Sequence, residues 1–231
     1  MLSLLLNGTE NMPGLTQIGK ACIELSGNGV LLRYSVASLF RVTVGFYIAA
    51  LLAIPLGLFL GRRRIINRWV NPFIQFLRPI SPLAWIPFAM IWFGIGDRPA
   101  LFIIFVASFF PILLSAISAA AMIPPMYFQV AANLQFKVWE SIRYVIIPAT
   151  APSILLGLRV ALGVAWMVVV AAEMIAVKSG LGYLIVDGRN ALRIDYVIVA
   201  VMTIGVIGLL LDHTMTRMER LESVRWRFEQ S

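Results

Sequence analysis

Five long apolar runs constrain this chain more than any other feature of its sequence. They cover residues 36–60, 72–95, 100–123, 153–177 and 196–211. A helix needs about 20 apolar residues to cross a hydrocarbon core of about 30 Å, so runs of this kind predict transmembrane helices. With 60% apolar and 13% charged residues among 231, the chain is too apolar to hide its side chains in one soluble core. We therefore predict a membrane protein of one domain.

Two of the runs, and the residues before the first, carry further local signals. Three prolines interrupt the second run: Pro79, Pro82 and Pro87. Proline removes a backbone donor and clashes with the preceding turn, so we expect bends or a short break there. The fourth run contains Gly157 and Gly163, which suit close contact between helices. Residues 1–35 are mixed and polar, and we expect a loosely ordered or surface-lying entry segment.

The composition excludes several classes of function. The net charge of +8 is better explained by anionic lipid headgroups than by nucleic acid, because no base-stacking or groove-reading motif accompanies the basic residues. Cys22 is the one cysteine and His213 the one histidine, so an internal disulfide, a metal site and an intramembrane enzyme are all disfavoured. The chain lacks a phosphate-binding Gly-x-x-x-x-Gly-Lys-[Ser/Thr] loop and a recognisable catalytic nucleophile. We expect no cofactor, no metal and no catalytic residue.

The arginines set the orientation. If the loop after the first span is inside, ten basic residues lie inside: Arg62, Arg63, Arg64, Arg68, Lys137, Arg143, Arg217, Arg220, Arg225 and Arg227. Between spans only Arg98, Lys178, Arg189 and Arg193 then lie outside. The positive-inside rule favours this arrangement, which puts the N-terminus outside and the C-terminus inside.

A proline-bounded segment between the third and fourth runs, Pro124 to Pro152, has the pattern of an amphipathic helix. Apolar residues recur at spacings of three and four, at Ala131, Leu134, Val138, Ile142 and Val145. Lys137, Glu140 and Arg143 share a different side. By itself this pattern favours a plain surface helix, which the predicted orientation places in the cytoplasm.

Glu173 is the most informative ionisable residue within the runs. A charge near the membrane centre costs at least about 2.5 kcal/mol on insertion scales, so such a residue usually faces a cavity or a partner. Glu173 either lines a pathway or anchors an outer gate, with Arg193 or Arg189 as its partner, or it is solvated at the outer interface.

Four other residues are candidates for a passage, each with a simpler reading. Arg78 could attract an anion or cap helix carbonyls, although snorkelling to headgroups explains it more simply. Trp85, Trp92 and Trp166 could line a passage, and interfacial anchoring or helix packing explains them equally well.

Several strings in the chain occur together in one known family. They are Phe76–Pro87 running into Ile91–Gly96, Phe109–Leu113, Gly163–Trp166, Val170–Met174 and Ser179–Ile185. In this order and spacing, over roughly residues 36–228, the chain resembles the permease subunits of the nitrate/sulfonate/taurine/bicarbonate branch of ABC importers. The Pro124 to Pro152 segment resembles the family's cytoplasmic coupling motif, in which Ala131, Ala132, Ile146 and Pro148 match. The motif's glutamate falls on Val130 and its glycine on Phe136, so two signature positions differ.

The resemblance implies an all-α type I ABC importer transmembrane domain over residues 36–228, with about five transmembrane helices and a coupling helix. The implied coupling residues are Tyr127, Phe128, Gln129, Val130, Ala131, Ala132, Asn133, Leu134 and Phe136. It further implies import of a small oxyanion or organic sulfonate across a bacterial inner membrane. ATP would be hydrolysed by separate ABC ATPase subunits, and a periplasmic or lipid-anchored binding protein and a second permease copy would be partners.

One departure from the family keeps a different function open. Permeases of this branch usually carry another span before residue 36, which leaves three expectations: a five-span form, a misassigned start, or a helix supplied by a partner. A degenerate permease acting as a non-transporting scaffold is the alternative function.

Overall fold

The computed structural model describes residues 8–9 and 12–219, and these residues are all-α apart from one short hairpin. In the hairpin, β1 (Gly8–Thr9) pairs antiparallel with β2 (Met12–Pro13).

Ten α-helices follow within the described residues. They are α1 (Leu15–Gly27), α2 (Val30–Arg62), α3 (Arg64–Leu77), α4 (Ile86–Phe93), α5 (Asp97–Ala121), α6 (Pro125–Asn133), α7 (Val138–Ser141), α8 (Ile147–Ala176), α9 (Leu181–Asn190) and α10 (Ile194–Glu219). A 3₁₀ turn (Pro82–Trp85) leads into α4, and a π-helix (Ile142–Ile146) joins α7 to α8. The predicted all-α fold class is confirmed.

The predicted spans correspond to observed helices. Within the described residues, α2, α5, the continuous stretch Val138–Ala176 and α10 up to Arg217 are each long and apolar enough to cross a membrane. The pair Arg64–Leu77 and Pro82–Phe93 makes a fifth if it counts as one span. The interruption in this pair confirms the break predicted from its prolines. Large side chains such as Leu51, Met167 and Leu209, each 73% exposed, need lipid or another protein surface around them.

The chain divides into two compact units. The first comprises Met1–Gly45, Pro82–Ile104 and Ala165–Leu210, and the second Phe46–Ser81, Phe105–Val164 and Leu211–Ser231. The second unit has an apolar core in which Ala116, Ala119 and Ile154 are buried.

The predicted entry segment, residues 1–35, lies partly outside the described residues, and its described part contains helix α1. Helix α1 places Ala21 and Leu25 in the apolar core of the first unit, where they pack with Leu184, Val199 and Ala200. Burial of those two side chains favours a fixed helix over a loose segment. The rest of α1 is largely exposed, so the surface-lying expectation fits it better than the loosely ordered one.

The single amphipathic helix predicted between Pro124 and Pro152 is wrong, because the segment contains a break. Helix α6 ends at Asn133, and Gln135 has a left-handed backbone with φ of 55°. A residue in this conformation stops an α-helix, so the apolar residues on either side do not form one face. Leu134 and Val138 are 61% and 80% exposed, whereas Ala131 is buried.

Close helix contact is confirmed at one of the two predicted glycines. A Cβ on Gly157 would collide with the Oγ and Cβ atoms of Ser115 on α5. At Gly163 a Cβ would meet no atom within 4 Å, so the described part of the chain makes no close contact there. Helix periodicity alone could not show that Gly163 faces open space.

We predict opposite effects for alanine at these two glycines. Gly157→Ala should destabilise the protein by about 1–3 kcal/mol, because α5 and α8 would have to move apart. Gly163→Ala should be neutral or stabilising by up to about 1 kcal/mol, because alanine favours helix over glycine. Thermal unfolding in detergent measures both. Equal unfolding temperatures for the two variants would contradict the assigned contact.

A second prediction concerns how α1 is held. Arg193 Nη2 lies 3.2 Å from Glu24 Oε2, and the Tyr196 hydroxyl also donates to Glu24. These two hydrogen bonds lower the pKa of the Glu24 carboxyl below its ordinary value of 4.5. A depressed pKa stabilises the folded state above the unfolded pKa, and that contribution is lost as pH falls through the folded pKa.

The difference in unfolding temperature between wild type and Glu24→Gln should therefore be present at pH 7 and shrink as pH falls below about 4.5. Thermal scans over this pH range provide the measurement. Arg193→Gln serves as the control. In the Arg193→Gln background, the effect of Glu24→Gln on the unfolding temperature at pH 7 should be smaller, because the arginine that pairs with Glu24 is absent. A difference that is independent of pH would refute the proposed pairing.

Candidate functional site

Two opposite charges from separate spans meet inside the first unit. Arg41 lies in α2 and Glu173 in α8, and Arg41 Nη1 is 2.5 Å from Glu173 Oε1. Their side chains are 4% and 0% exposed. A buried charge is tolerated when it is paired and its remaining hydrogen-bonding capacity is used.

The Glu173 carboxylate is fully supplied with donors. Its Oε2 atom accepts a hydrogen bond from the Ser38 hydroxyl at 2.8 Å and another from the Gly182 N–H at 3.0 Å. The Ser38 oxygen in turn accepts the Leu181 N–H at 2.9 Å. Ser38 therefore joins the carboxylate to the first turn of α9.

The Arg41 guanidinium donates hydrogen bonds from each of its three nitrogens to protein acceptors. Nε donates to Asp97 Oδ1 at 2.8 Å, and Nη1 donates both to Glu173 and to the Ser179 carbonyl, the latter at 2.9 Å. Nη2 donates to the Ser179 hydroxyl and lies 2.7 Å from Asp97 Oδ1. These contacts surround the buried guanidinium with protein acceptors. We call Arg41, Glu173, Ser38, Asp97 and Ser179 the Arg41 cluster.

Glycines let the loop before α9 close around the carboxylate. Gly180 has φ of +102°, a conformation that L side chains rarely adopt, and a Cβ there would collide with the Glu173 carboxylate. A Cβ on Gly182 would collide with the Val170 carbonyl. The Ser-Gly-Leu-Gly sequence is therefore required by this close approach.

The cluster also fixes the direction of the helices that meet in it. Arg41 lies 11 residues after the start of α2, Asp97 is the first residue of α5, and Glu173 lies three residues before the end of α8. The Gly96 N–H donates to the Ala176 carbonyl at 3.0 Å. Helix α5 therefore starts beside the end of α8, whereas α2 passes the cluster 11 residues from its start.

The predicted partners of Glu173 are wrong. Arg193 pairs instead with Asp195 at 2.8 Å and with Glu24, and Arg41 takes the place predicted for Arg193 or Arg189. With its side chain 0% exposed, Glu173 is not solvated at the interface. Sequence reasoning missed Arg41, although a lone arginine inside an apolar run signals a buried partner.

The other candidate side chains lie apart from this cluster. Trp166 is 7% exposed, and its indole N–H donates to the Ile204 carbonyl on α10 at 3.1 Å, which supports the packing interpretation. Trp85 ends the 3₁₀ turn with its ring centroid 6.1 Å from that of Phe88. Arg78 is exposed at the C-terminal end of α3.

Helix α6 presents apolar side chains at the surface of the second unit. Met126, Val130 and Leu134 follow one another at intervals of four, and they are 62%, 51% and 61% exposed. Ala131 is buried and holds the helix to the unit, while Ala132 is exposed. The helix therefore has one face packed and one apolar face without a partner in the described chain.

The end of α6 is a Schellman motif. The Phe136 N–H donates to the Ala131 carbonyl at 2.9 Å, and the Gln135 N–H donates to the Ala132 carbonyl at 3.0 Å. Gln135 occupies the left-handed position that glycine usually fills in this motif.

The position in this segment whose backbone favours glycine is Gln135, one residue before Phe136, where the resemblance placed the motif's glycine.

The buried pair leads to a prediction about stability. Arg41→Met and Glu173→Leu should each cost about 3–5 kcal/mol, because each leaves one buried charge without its partner. The double variant should cost clearly less than the sum of the two, which thermal unfolding in detergent will show. The matched control is the pair Arg159 and Asp212, 2.8 Å apart but 33% and 56% exposed. Breaking it should cost about 1 kcal/mol or less. Strictly additive losses at positions 41 and 173 would contradict the coupling.

Comparison with known proteins assigns the chain. The family model for the binding-protein-dependent transport system inner membrane component matches residues 53–222. A putative ABC transporter permease of Methanocaldococcus jannaschii is 40% identical over 95% of this chain and 84% of its own length. The bicarbonate transport system permease of Synechococcus elongatus is 37% identical over 80% of this chain and 67% of its own. The taurine transport system permease of Escherichia coli is 33% identical over 90% of this chain and 78% of its own length.

A solved structure supports the fold. An inward-facing structure of the MetNI methionine ABC transporter matches with a TM-score of 0.69 and 19% identity, over 83% of this chain and 95% of the matched one. This likeness confirms the predicted type I importer fold. The matches to curated permeases confirm the predicted branch. The chain belongs to the family of binding-protein-dependent transport system inner membrane components, and it is a multi-pass permease subunit of an ABC importer.

Proposed function

We propose that this permease imports a small oxyanion or organic sulfonate, driven by ABC ATPase subunits that dock on α6. The observation that carries the proposal is the apolar face of α6, formed by Met126, Val130 and Leu134, which lies exposed on a helix whose other side is packed. An exposed apolar face on a short helix is typical of a helix that inserts into a groove of a partner.

The energy for transport has to come from outside the chain. The sequence contains no phosphate-binding loop of the Gly-x-x-x-x-Gly-Lys-[Ser/Thr] type, so ATP is hydrolysed on the docked subunits. A second copy of the permease completes the translocation pathway, and an external binding protein delivers the substrate. The family description, which names dependence on a binding protein, supports this assembly.

The substrate class follows from the relatives, which are named for bicarbonate and taurine. Both compounds are small and carry an oxyanion group. We do not assign the Arg41 guanidinium as a ligand for such a substrate, because it is buried and each of its three nitrogens already donates to a protein acceptor. We assign selection of the substrate to the binding protein, and we assign the Arg41 cluster the role of a rigid strut at the predicted outer end. Neither the fold nor the relatives favour a non-transporting scaffold.

The docking proposal is tested by co-purification. Ala132 is exposed on α6, so Ala132→Glu adds charge and bulk at the proposed contact without entering the core. We expect this variant to lose the ATPase subunit that co-purifies with the wild-type chain expressed together with its genomic neighbours. Ala191→Glu, at an exposed alanine between α9 and α10, is the matched control and should retain it. Retention of the ATPase by both variants would overturn docking on α6.

The substrate is identified by ATPase turnover. The assembled transporter in lipid should hydrolyse ATP faster when the binding protein is loaded with its ligand. Bicarbonate, nitrate, taurine and other small sulfonates are compared, and the one that gives the largest rise is the substrate. A rise only with a cationic or neutral ligand would contradict the oxyanion class.

A further inference from the structure

The second unit contains a cavity of about 790 Å³ that the proposed import function does not use. Residues 61–66, at the junction of α2 and α3, form one wall. Residues 120–125 and Phe128, where α5 leads into α6, form the other. The cavity is large enough for the headgroup and upper acyl segments of a lipid, since ligand pockets typically measure about 300–1,000 Å³.

The polar part of this cavity carries positive charge only. Arg62, Arg63 and Arg64 line it, and no lining residue is acidic. The sequence contains no aspartate or glutamate between Glu24 and Asp97, so no carboxylate from neighbouring sequence compensates these arginines. The Arg62 guanidinium carbon lies 3.5 Å from the centroid of the Phe128 ring, which fixes it against α6. Arginine guanidinium groups are well suited to bind phosphate oxygens.

The apolar side of the junction continues along α3. Ile65, Trp69, Phe73 and Phe76 lie on one face of this helix, and they are 78%, 76%, 72% and 72% exposed. Arginines and amides occupy the opposite face, at Arg64, Asn67, Arg68, Asn71 and Gln75. A basic amphipathic helix with exposed aromatic residues is typical of segments that lie at the boundary between headgroups and acyl chains.

The depth of the cavity matches such a boundary. Arg62 follows Arg41 by 21 residues in the continuous helix α2, and at a rise of 1.5 Å per residue this corresponds to about 32 Å. A hydrocarbon core is about 30 Å thick. If Arg41 lies near one membrane face, then Arg62 lies near the other, which the predicted orientation makes cytoplasmic. Anionic phospholipids give that leaflet its negative surface potential.

We propose that this cavity binds the headgroup of an anionic phospholipid. Arg63 and Arg64 contact its phosphate together with Arg62, and its acyl chains extend along Ile65 and Trp69 on α3. This is a stoichiometric lipid site, distinct from the general attraction of basic residues to a membrane surface. It does not depend on ATPase docking or on the identity of the substrate.

Native mass spectrometry of the detergent-purified chain tests the proposal by titration with dioleoylphosphatidylglycerol and dioleoylphosphatidylcholine. The wild type should bind the first lipid at least about tenfold more tightly, because its headgroup has a net negative charge, whereas the choline cation of the second neutralises its phosphate. In the variant Arg63→Gln/Arg64→Gln this preference should fall to about twofold or less. Arg62 is left unchanged because of its contact with Phe128.

The matched control is Arg68→Gln/Arg78→Gln, which removes the same charge from exposed positions at the same membrane face but outside the cavity lining. This variant should keep most of the wild-type preference. If both double variants lose the lipid preference equally, the proposed site is wrong, and the preference comes from the general attraction of basic residues to anionic lipid. If millimolar inorganic phosphate displaces the lipid, or if glycerophosphoglycerol binds equally tightly, the cavity binds a soluble anion and the lipid proposal is wrong. Both variants are first checked for the wild-type unfolding temperature.

Discussion

The pairing of Arg41 with Glu173 is the interaction on which the first unit depends. Each ion would be costly alone in an apolar span, and their mutual attraction offsets that cost only if further hydrogen bonds satisfy both groups. The cluster supplies these bonds from two serine hydroxyls, two backbone N–H groups, a backbone carbonyl and a further carboxylate. The network links residues of α2, α5 and α8, so it holds the three helices together at this point.

The same requirement explains features that would otherwise look unrelated. Gly180 and Gly182 are needed because the loop has to reach the Glu173 carboxylate, and a Cβ at either position would collide with α8. Asp97 lies at the start of α5 because a partly exposed carboxylate there completes the coordination of Arg41 without a second buried acid. The buried pair therefore explains three features: the two glycines in the loop before α9, the aspartate at the start of α5, and the close approach of α9 to α8.

The sequence predicted most of the fold and less of the site. The apolar runs and the prolines are visible in the sequence itself, so the spans and the interruption near Pro79 and Pro82 could be predicted from it. The sequence marked Glu173 as an unusual charge within an apolar run but left its burial open, and it could not show its partner Arg41, which lies 132 residues away. The sequence did not predict that the helix starting at Pro125 ends at Asn133, because Gln135 takes a backbone conformation for which glycine is the usual signal. Gly163 makes no close contact within the described chain, since a small residue marks a contact only where a neighbouring helix is present.

Arginines serve two physical purposes in this chain, and the difference bears on how an anion could be handled. Arg41 is buried, and its three guanidinium nitrogens donate to Glu173, Asp97 and Ser179. Arg63 and Arg64 are exposed in a cavity without acidic neighbours. The charge of Arg41 is therefore already paired with Glu173, whereas no carboxylate lines the cavity that holds Arg63 and Arg64. An unpaired arginine attracts an anion more strongly than a paired one, so an anion is expected to favour the cavity over the Arg41 cluster.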